Sequence, residues 1–242
     1  MTVSFEIVDD PARGCAALMV GAAINGGDIV LTGGSTPRAA YEHFVEAVQR
    51  VDLDLSRTTF WIGDERCVDP EDDRSNYKMI KETLLDPLAD RSPRFERMKG
   101  ELGPEAGADD YQEILVTRSS PAPPVFDLLL LGIGSDGHCA SLFPDQASLS
   151  ERQRLVVGVP EAGLEPFVPR ISMTLPTLVR ARQIVFLAVG ESKADAIARA
   201  FGPDAEPDPA TPSSLLAPEA KAITVLVDEA AASRLYFTGE PQ

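Results

Sequence analysis

The chain has 242 residues, 44% hydrophobic and 25% charged, enough to bury a sizeable core in one or two domains. A formal net charge of -16 excludes the broad positive footprint of a nucleic-acid binder, although a few local cations can still hold a small anion because salt screens distant charge over about 10 Å. No apolar run reaches the roughly 18 residues of a membrane span, and the N-terminus lacks a signal peptide's basic and long apolar regions, so a cytoplasmic chain free of membrane is expected.

In chain order, residues 5–8 read as a short strand. Asp10 and Pro11 mark a helix start, residues 12–24 carry apolar side chains at helical spacing, and Asn25-Gly26-Gly27 ends them. Strand Asp28–Leu31 runs at once into Thr32-Gly33-Gly34-Ser35-Thr36-Pro37 and an amphipathic helix over 38–48. A strand, a Gly-rich turn and a helix N-terminus present unpaired amides and a favourable dipole to an anion, with the hydroxyls of Ser35 and Thr36 as further donors. The plainer alternative is a βα turn in which one of those hydroxyls caps the helix. The Gly-Lys-Ser/Thr ending of a Walker loop is missing.

Residues 58–62 are a β-branched and aromatic strand. They end in Gly63-Asp64-Glu65-Arg66, which reads either as a solvated charged loop or as a phosphate-binding arginine beside two carboxylates. The acidic run 69–73 looks exposed. A helix over 77–85, a Pro/Gly-rich excursion over 89–107, a helix over 108–116 and a proline-rich connector over 119–124 follow. Phe126 and Leu128 to Leu131 make a fully buried central strand. Beyond it, strands are expected at 155–159, 169–174, 183–189 and Ala222–Val227, with short helices at 175–182, 194–200 and 213–216 and loops at 160–169 and 202–212. This alternation predicts an α/β fold, a single-domain Rossmann-like sandwich with a mainly parallel central sheet flanked by helices, over residues 1–242.

The turn Gly132-Ile-Gly134-Ser-Asp136-Gly137 matches a dinucleotide fingerprint in letters only. Pro144 arrives too soon for the long helix of that fold, and Asp136 would face a pyrophosphate with a carboxylate. The alternative is a turn presenting Asp136 and His138 at the carboxyl end of a parallel strand, where such sheets keep their chemistry. Imidazole suits proton transfer near neutral pH. The chain has only two histidines; His43, within an amphipathic helix, reads as structural or solvent-facing. Cys15, Cys67 and Cys139 form no metal-ligand spacing and read as reduced thiols, with Cys139 as small-residue packing beside His138.

Several segments, taken together and in this order, resemble the 6-phosphogluconolactonases. They are Leu31-Thr-Gly-Gly-Ser-Thr-Pro37, Trp61-Ile-Gly-Asp-Glu-Arg66, Ser75-Asn76, Asp127 through Gly137-His138-Cys-Ala-Ser-Leu-Phe-Pro144, Pro169-Arg170-Ile-Ser-Met-Thr174 and Gly190-Glu-Ser-Lys193. The related glucosamine-6-phosphate deaminases and isomerases share the Gly-rich turn, the Asp-Glu pair and the Asp-Gly-His. They typically place Asn-Glu-Pro where this chain has Leu142-Phe143-Pro144, and Asp-Glu-Tyr where it has Asp64-Glu65-Arg66. The resemblance implies hydrolysis of 6-phospho-D-glucono-1,5-lactone to 6-phosphogluconate, in the oxidative pentose phosphate pathway, with no metal or other cofactor. It implies His138 as general base, oriented by Asp136 or Asp64. It implies phosphate contacts from some of Gly34, Ser35, Thr36, Arg66, Arg170 and Lys193, and oxyanion donors among turn amides near Gly134 or from Arg66. A sugar-phosphate lactone is then the expected small-molecule partner, and a monomer or weak homodimer the expected state.

Overall fold

A computed structural model of the chain describes residues 2–235; the ends of the expected domain, residue 1 and residues 236–242, lie outside the described residues. Strand β1 (Thr2–Ile7) leads to helix α1 (Pro11–Ile24), whose first turn is capped by the Asp10 carboxylate accepting the Arg13 amide. Then come β2 (Asp28–Leu31), α2 (Ser35–Val51), β3 (Thr59–Ile62), β4 (Asp64–Arg66), α3 (Asn76–Ile80), β5 (Arg94–Glu96), α4 (Pro104–Ser119) and β6 (Leu128–Leu131). The C-terminal part supplies β7 (Val156–Val159), β8 (Arg170–Met173), α5 (Leu175–Leu178), β9 (Gln183–Ala188), α6 (Ala194–Phe201) and β10 (Ala222–Val227).

Seven strands form one parallel sheet in the order β1-β10-β9-β6-β2-β3-β5. The all-leucine β6 lies in its middle, with Leu129 paired to Val30 on one side and to Ile184 on the other. Its run of leucines reflects burial on both faces rather than alternation. Helix α1 packs across β6, β9 and β10 and beside α2. Beyond β2 the chain moves through α2 to β3 on one side, whereas beyond β6 it moves to β9 on the other. The carboxyl ends of β2 and β6 therefore form a topological switch point, where open α/β sheets leave a crevice.

A second, three-stranded antiparallel sheet, β4-β8-β7, stands over that end. Gly63 joins the two sheets: its amide donates to Leu31 of β2 and its carbonyl accepts the amide of Met173 of β8. Buried tyrosine hydroxyls close the strands that feed the crevice. Tyr41 of α2 donates to the Thr32 carbonyl at 2.7 Å and accepts the Thr32 amide at 2.9 Å, while Tyr111 of α4 accepts the Ile62 amide at 3.0 Å.

The structure corrects three expectations. Asp64-Glu65-Arg66 is a buried strand, not a solvated loop, because backbone amides neutralise its carboxylate as described below. The strands at 156–159 and 170–173 leave the parallel sheet and pair antiparallel with each other, the second of them also with β4. The excursion at 89–107 contains β5, an edge strand of the main sheet, and its last residues open α4. Edge strands are short and polar by nature, which hides them from a reading of hydrophobic pattern.

Candidate active site

A cavity of about 260 Å³ occupies the switch point. Its walls come from the turns after β2 and β6, from β4 and β8, from the end of β9 with Lys193, and from Leu164 and Glu165 of the loop between β7 and β8. Of the residues singled out from sequence, Gly34, Ser35, Thr36, Asp64, Arg66, His138, Arg170 and Lys193 all line this one cavity, and Asp136 stands directly behind His138. No residue of 91–107 lines it.

The turn after β6 builds an acid–base pair. His138 Nδ1 and Asp136 Oδ1 are 2.6 Å apart, and the same carboxylate oxygen accepts the His138 amide at 3.1 Å. Burial alone would raise the Asp136 carboxyl; the hydrogen bond and charge of His138 outweigh it and, with the backbone amides, hold the group below the usual carboxylate value. A carboxylate only accepts, so Nδ1 is the protonated nitrogen of this pair, and in the neutral imidazole the lone pair is on Nε2. Glycine permits this compactness. A Cβ on Gly134 would lie 2.1 Å from His138 Nδ1, and Gly137 holds a φ of 90°. Phe143 packs its ring 4.7 Å from the imidazole.

The opposite wall is cationic. Gly34, at a φ of 112°, is the cap of α2 and supplies no side chain. Ser35 and Thr36 therefore sit inside the first turn and do not cap it, so the plainer reading of this turn falls away. Arg66 and Arg170 are direct partners across the antiparallel pair β4–β8, and both reach the cavity. Like charges placed opposite each other destabilise a bare sheet and are offset by an anion between them. Arg170 is 4% exposed and donates through Nε to the Val168 carbonyl at 3.1 Å and through a terminal nitrogen to Pro166 at 2.7 Å. Burial and the neighbouring Arg66 charge pull it below the usual arginine value. Arg66 donates to the Arg74 carbonyl at 2.8 Å, while its buried Nε has no partner. Lys193, lowered by burial, donates to the Ile133 carbonyl at 2.8 Å, on the histidine side of the cavity.

Of the two carboxylates considered for orienting His138, the structure joins Asp136 to it. Asp64 instead accepts the Ser141 hydroxyl at 2.6 Å. The Gly134 amide, considered as an oxyanion donor, is spent on the His138 carbonyl at 2.9 Å. Glu65, 2% exposed, turns away from the cavity to accept the amides of Arg66 at 2.7 Å, Asn76 at 2.8 Å and Tyr77 at 2.7 Å, tying the loop after β4 to the strand. Burial pushes its carboxyl up to about 7, against the pull of those amides. Cys139 is buried, its thiol pushed up to about 12 by burial, and His43 lies on α2 near Asp10 and Glu46; neither lines the cavity. Among the described residues, no group of three or more His, Cys, Asp or Glu could hold a metal ion, and no helix is long and apolar enough to cross a membrane.

Sequence reasoning did not assign Asn76, Ser141 or Phe143 to the site. Asn76 lines the cavity, bonds the Asp64 carbonyl at 2.9 Å and rests against Gly33, where a Cβ would collide with it. The signal for it was the Ser-Asn pair opening α3, where Ser75 caps the helix by accepting the Lys78 amide.

Fold and site together define a doubly wound α/β protein whose switch-point crevice is lined by a carboxylate-paired histidine and by Arg66, Arg170 and Lys193. The family model for glucosamine-6-phosphate isomerases/6-phosphogluconolactonase matches residues 15–225, and the chain belongs to that family. A 6-phosphogluconolactonase from Streptomyces coelicolor is 37% identical over 216 residues, covering 86% of this chain and 81% of that protein. The crystal structure of 6-phosphogluconolactonase from Leishmania guyanensis superposes with a TM-score of 0.81 at 25% identity, covering 98% of this chain and 100% of that one. A monomeric glucosamine-6-phosphate deaminase shares the fold, with a TM-score of 0.80 at 20% identity over 97% of this chain and 100% of its own.

Proposed function

We propose that the chain hydrolyses 6-phospho-D-glucono-1,5-lactone to 6-phospho-D-gluconate, with His138 as general base and without a metal, as a cytoplasmic enzyme whose residues 1–242 act as one domain. The observation that carries this reading is the 2.6 Å His138–Asp136 pair facing paired arginines across one small cavity. The phosphate lies on the α2 N-terminus, with the Ser35 and Thr36 hydroxyls and backbone of Gly34 around it and Arg66 and Arg170 over it. Holding the remote phosphate positions C1 against the imidazole, so binding energy is spent on orientation.

Nε2 of His138 takes a proton from water as the oxygen attacks C1. Asp136 stabilises the resulting imidazolium. When the tetrahedral intermediate collapses, the C1–ring-oxygen bond breaks and the same nitrogen returns the proton to the departing oxygen. A lactone carbonyl is electrophilic enough that this proton traffic, typically worth about 10²–10⁴-fold, needs neither a covalent nucleophile nor a Lewis acid. Lys193 steadies the turn that carries His138 through the Ile133 carbonyl while adding positive charge to the cavity.

The glucosamine-6-phosphate branch is the competing reading, and Phe143 speaks against it. This apolar ring covers His138 where that branch typically carries a glutamate for ring opening. The test is to generate the lactone in situ, follow acid release above the spontaneous rate, and in parallel assay ammonia release and ketose formation from glucosamine 6-phosphate. Acceleration of the first alone is expected; turnover of the second without the first overturns the proposal.

A further inference from the structure

The turn that carries the acid–base pair is held by a set of hydrogen bonds, those of Arg199 and Ser213 coming from residues outside the cavity. Five of the six carbonyls from Ile133 to His138 are claimed. Lys193 Nζ takes Ile133, the Gly137 amide takes Gly134, and the Gly134 amide takes His138. Ser213 takes the Gly137 carbonyl twice, through its amide at 2.9 Å and its hydroxyl at 2.8 Å. Arg199 completes the set. Its guanidinium donates to the Ser135 carbonyl at 2.9 Å and to the Thr211 hydroxyl at 2.8 Å. Thr211 in turn packs against Gly137, so closely that a Cβ there would meet its methyl group at 2.8 Å.

Arg199 is solvent-exposed on α6 and does not line the catalytic cavity. Its planar fork spans two segments distant in sequence, the turn before His138 and the loop before Ser213, in a way one ammonium does not. We propose that Arg199 is a positioning residue: by bridging Ser135 and Thr211 it fixes the turn from which Asp136 and His138 project, and so sets the alignment of the imidazole. The proposal rests on the reading of His138 as general base. Its energetic logic is preorganisation, since a catalytic side chain displaced by a fraction of an ångström loses rate while leaving substrate binding intact.

The experiment compares wild type, Arg199→Ala and Arg199→Lys in kcat, KM and Tm, and reads the low-field Nδ1 proton of His138 by NMR. The chain has only two histidines, so a His43→Gln variant assigns that resonance. Arg199→Ala should lower kcat about 3- to 10-fold, the modest loss due to an exposed charged donor, with KM within about twofold of wild type. The resonance should move or broaden, and Arg199→Lys should recover part of both effects. A resonance and kcat both unchanged overturn the clamp. A kcat loss matched by an equal rise in KM, or fully explained by a lower folded fraction, overturns positioning in favour of a plain structural role. A shifted resonance with kcat unchanged overturns the catalytic consequence; if His138→Ala is also fully active, the fault lies in the reading of His138 rather than in the clamp.

Discussion

Replacing Gly134 by alanine isolates the geometry of the acid–base pair without removing either member. An ideal Cβ at this position would lie 2.1 Å from His138 Nδ1, 2.4 Å from Asp136 Oδ1 and 2.4 Å from His138 Cε1. Ordinary contact begins at 3.4 Å, so the imidazole, the carboxylate or the turn must give way by roughly 1.3 Å. Gly134 itself has no left-handed backbone, so the side chain alone causes the conflict. A shift of that size breaks the 2.6 Å hydrogen bond and misaligns Nε2. Misplacement by about 1 Å typically costs ~10²-fold in rate, and loss of a charge-assisted hydrogen bond about 1.5–3 kcal/mol, or roughly 10- to 150-fold, so kcat should fall to between about a tenth and a hundredth of wild type. The residues proposed to hold the phosphate are untouched, so KM should stay within a few-fold. Steady-state hydrolysis of the phosphorylated lactone, with the spontaneous rate subtracted, reads both constants. A folded Gly134→Ala protein with wild-type kcat would refute the idea that the tight pair drives the chemistry.

Arg66→Ala should raise KM for the phosphorylated lactone about 10- to 100-fold, the range of a lost charged hydrogen bond, while turnover of the unphosphorylated lactone changes little; an equal loss on both substrates would place Arg66 elsewhere. Glu65 supplies a pH test of stability. Its carboxyl titrates at about 7 in the fold against an ordinary 4.5, so over that window the folded chain holds a proton that the unfolded chain has released. The stabilisation this gives is complete below pH 4.5 and is lost as pH rises through about 7. The Tm of wild type relative to Glu65→Gln should therefore fall between those limits and level off above them, and a relative Tm that climbs over the same window would contradict the burial argument.

Much of this architecture could be read from residue pattern. The all-leucine β6 and the apolar β9 and β10 announce a buried parallel sheet, because double-faced burial leaves continuous apolar runs. The Gly-rich turn at 32–37 and the glycines around His138 mark chemistry because backbone must approach a ligand or another side chain closely there. The short sheet β4-β8-β7 was hidden for the opposite reason. Asp64-Glu65-Arg66 carries only charged side chains, and its burial depends on amides supplied by Arg66, Asn76 and Tyr77, a tertiary fact no local pattern encodes. The choice of Asp136 over Asp64 as partner of His138 was likewise closed to spacing alone. It turns on the fold of the Gly134–Gly137 turn, which curls the Asp136 carboxylate back onto the ring, and on Ser141 engaging Asp64. The loop at 202–212 and the short helix at 213–216 are legible as elements but carry no local sign of a partner, yet Thr211 and Ser213 brace the turn before His138.

The central claim is that His138 is the base. The most direct measurement is kcat for lactone hydrolysis by His138→Ala against wild type, both shown to be folded by their Tm and both corrected for spontaneous opening. A fall of about 10²–10⁴-fold is expected, with the phosphorylated product still binding through Ser35, Arg66 and Arg170. A folded His138→Ala protein that keeps wild-type kcat would contradict it.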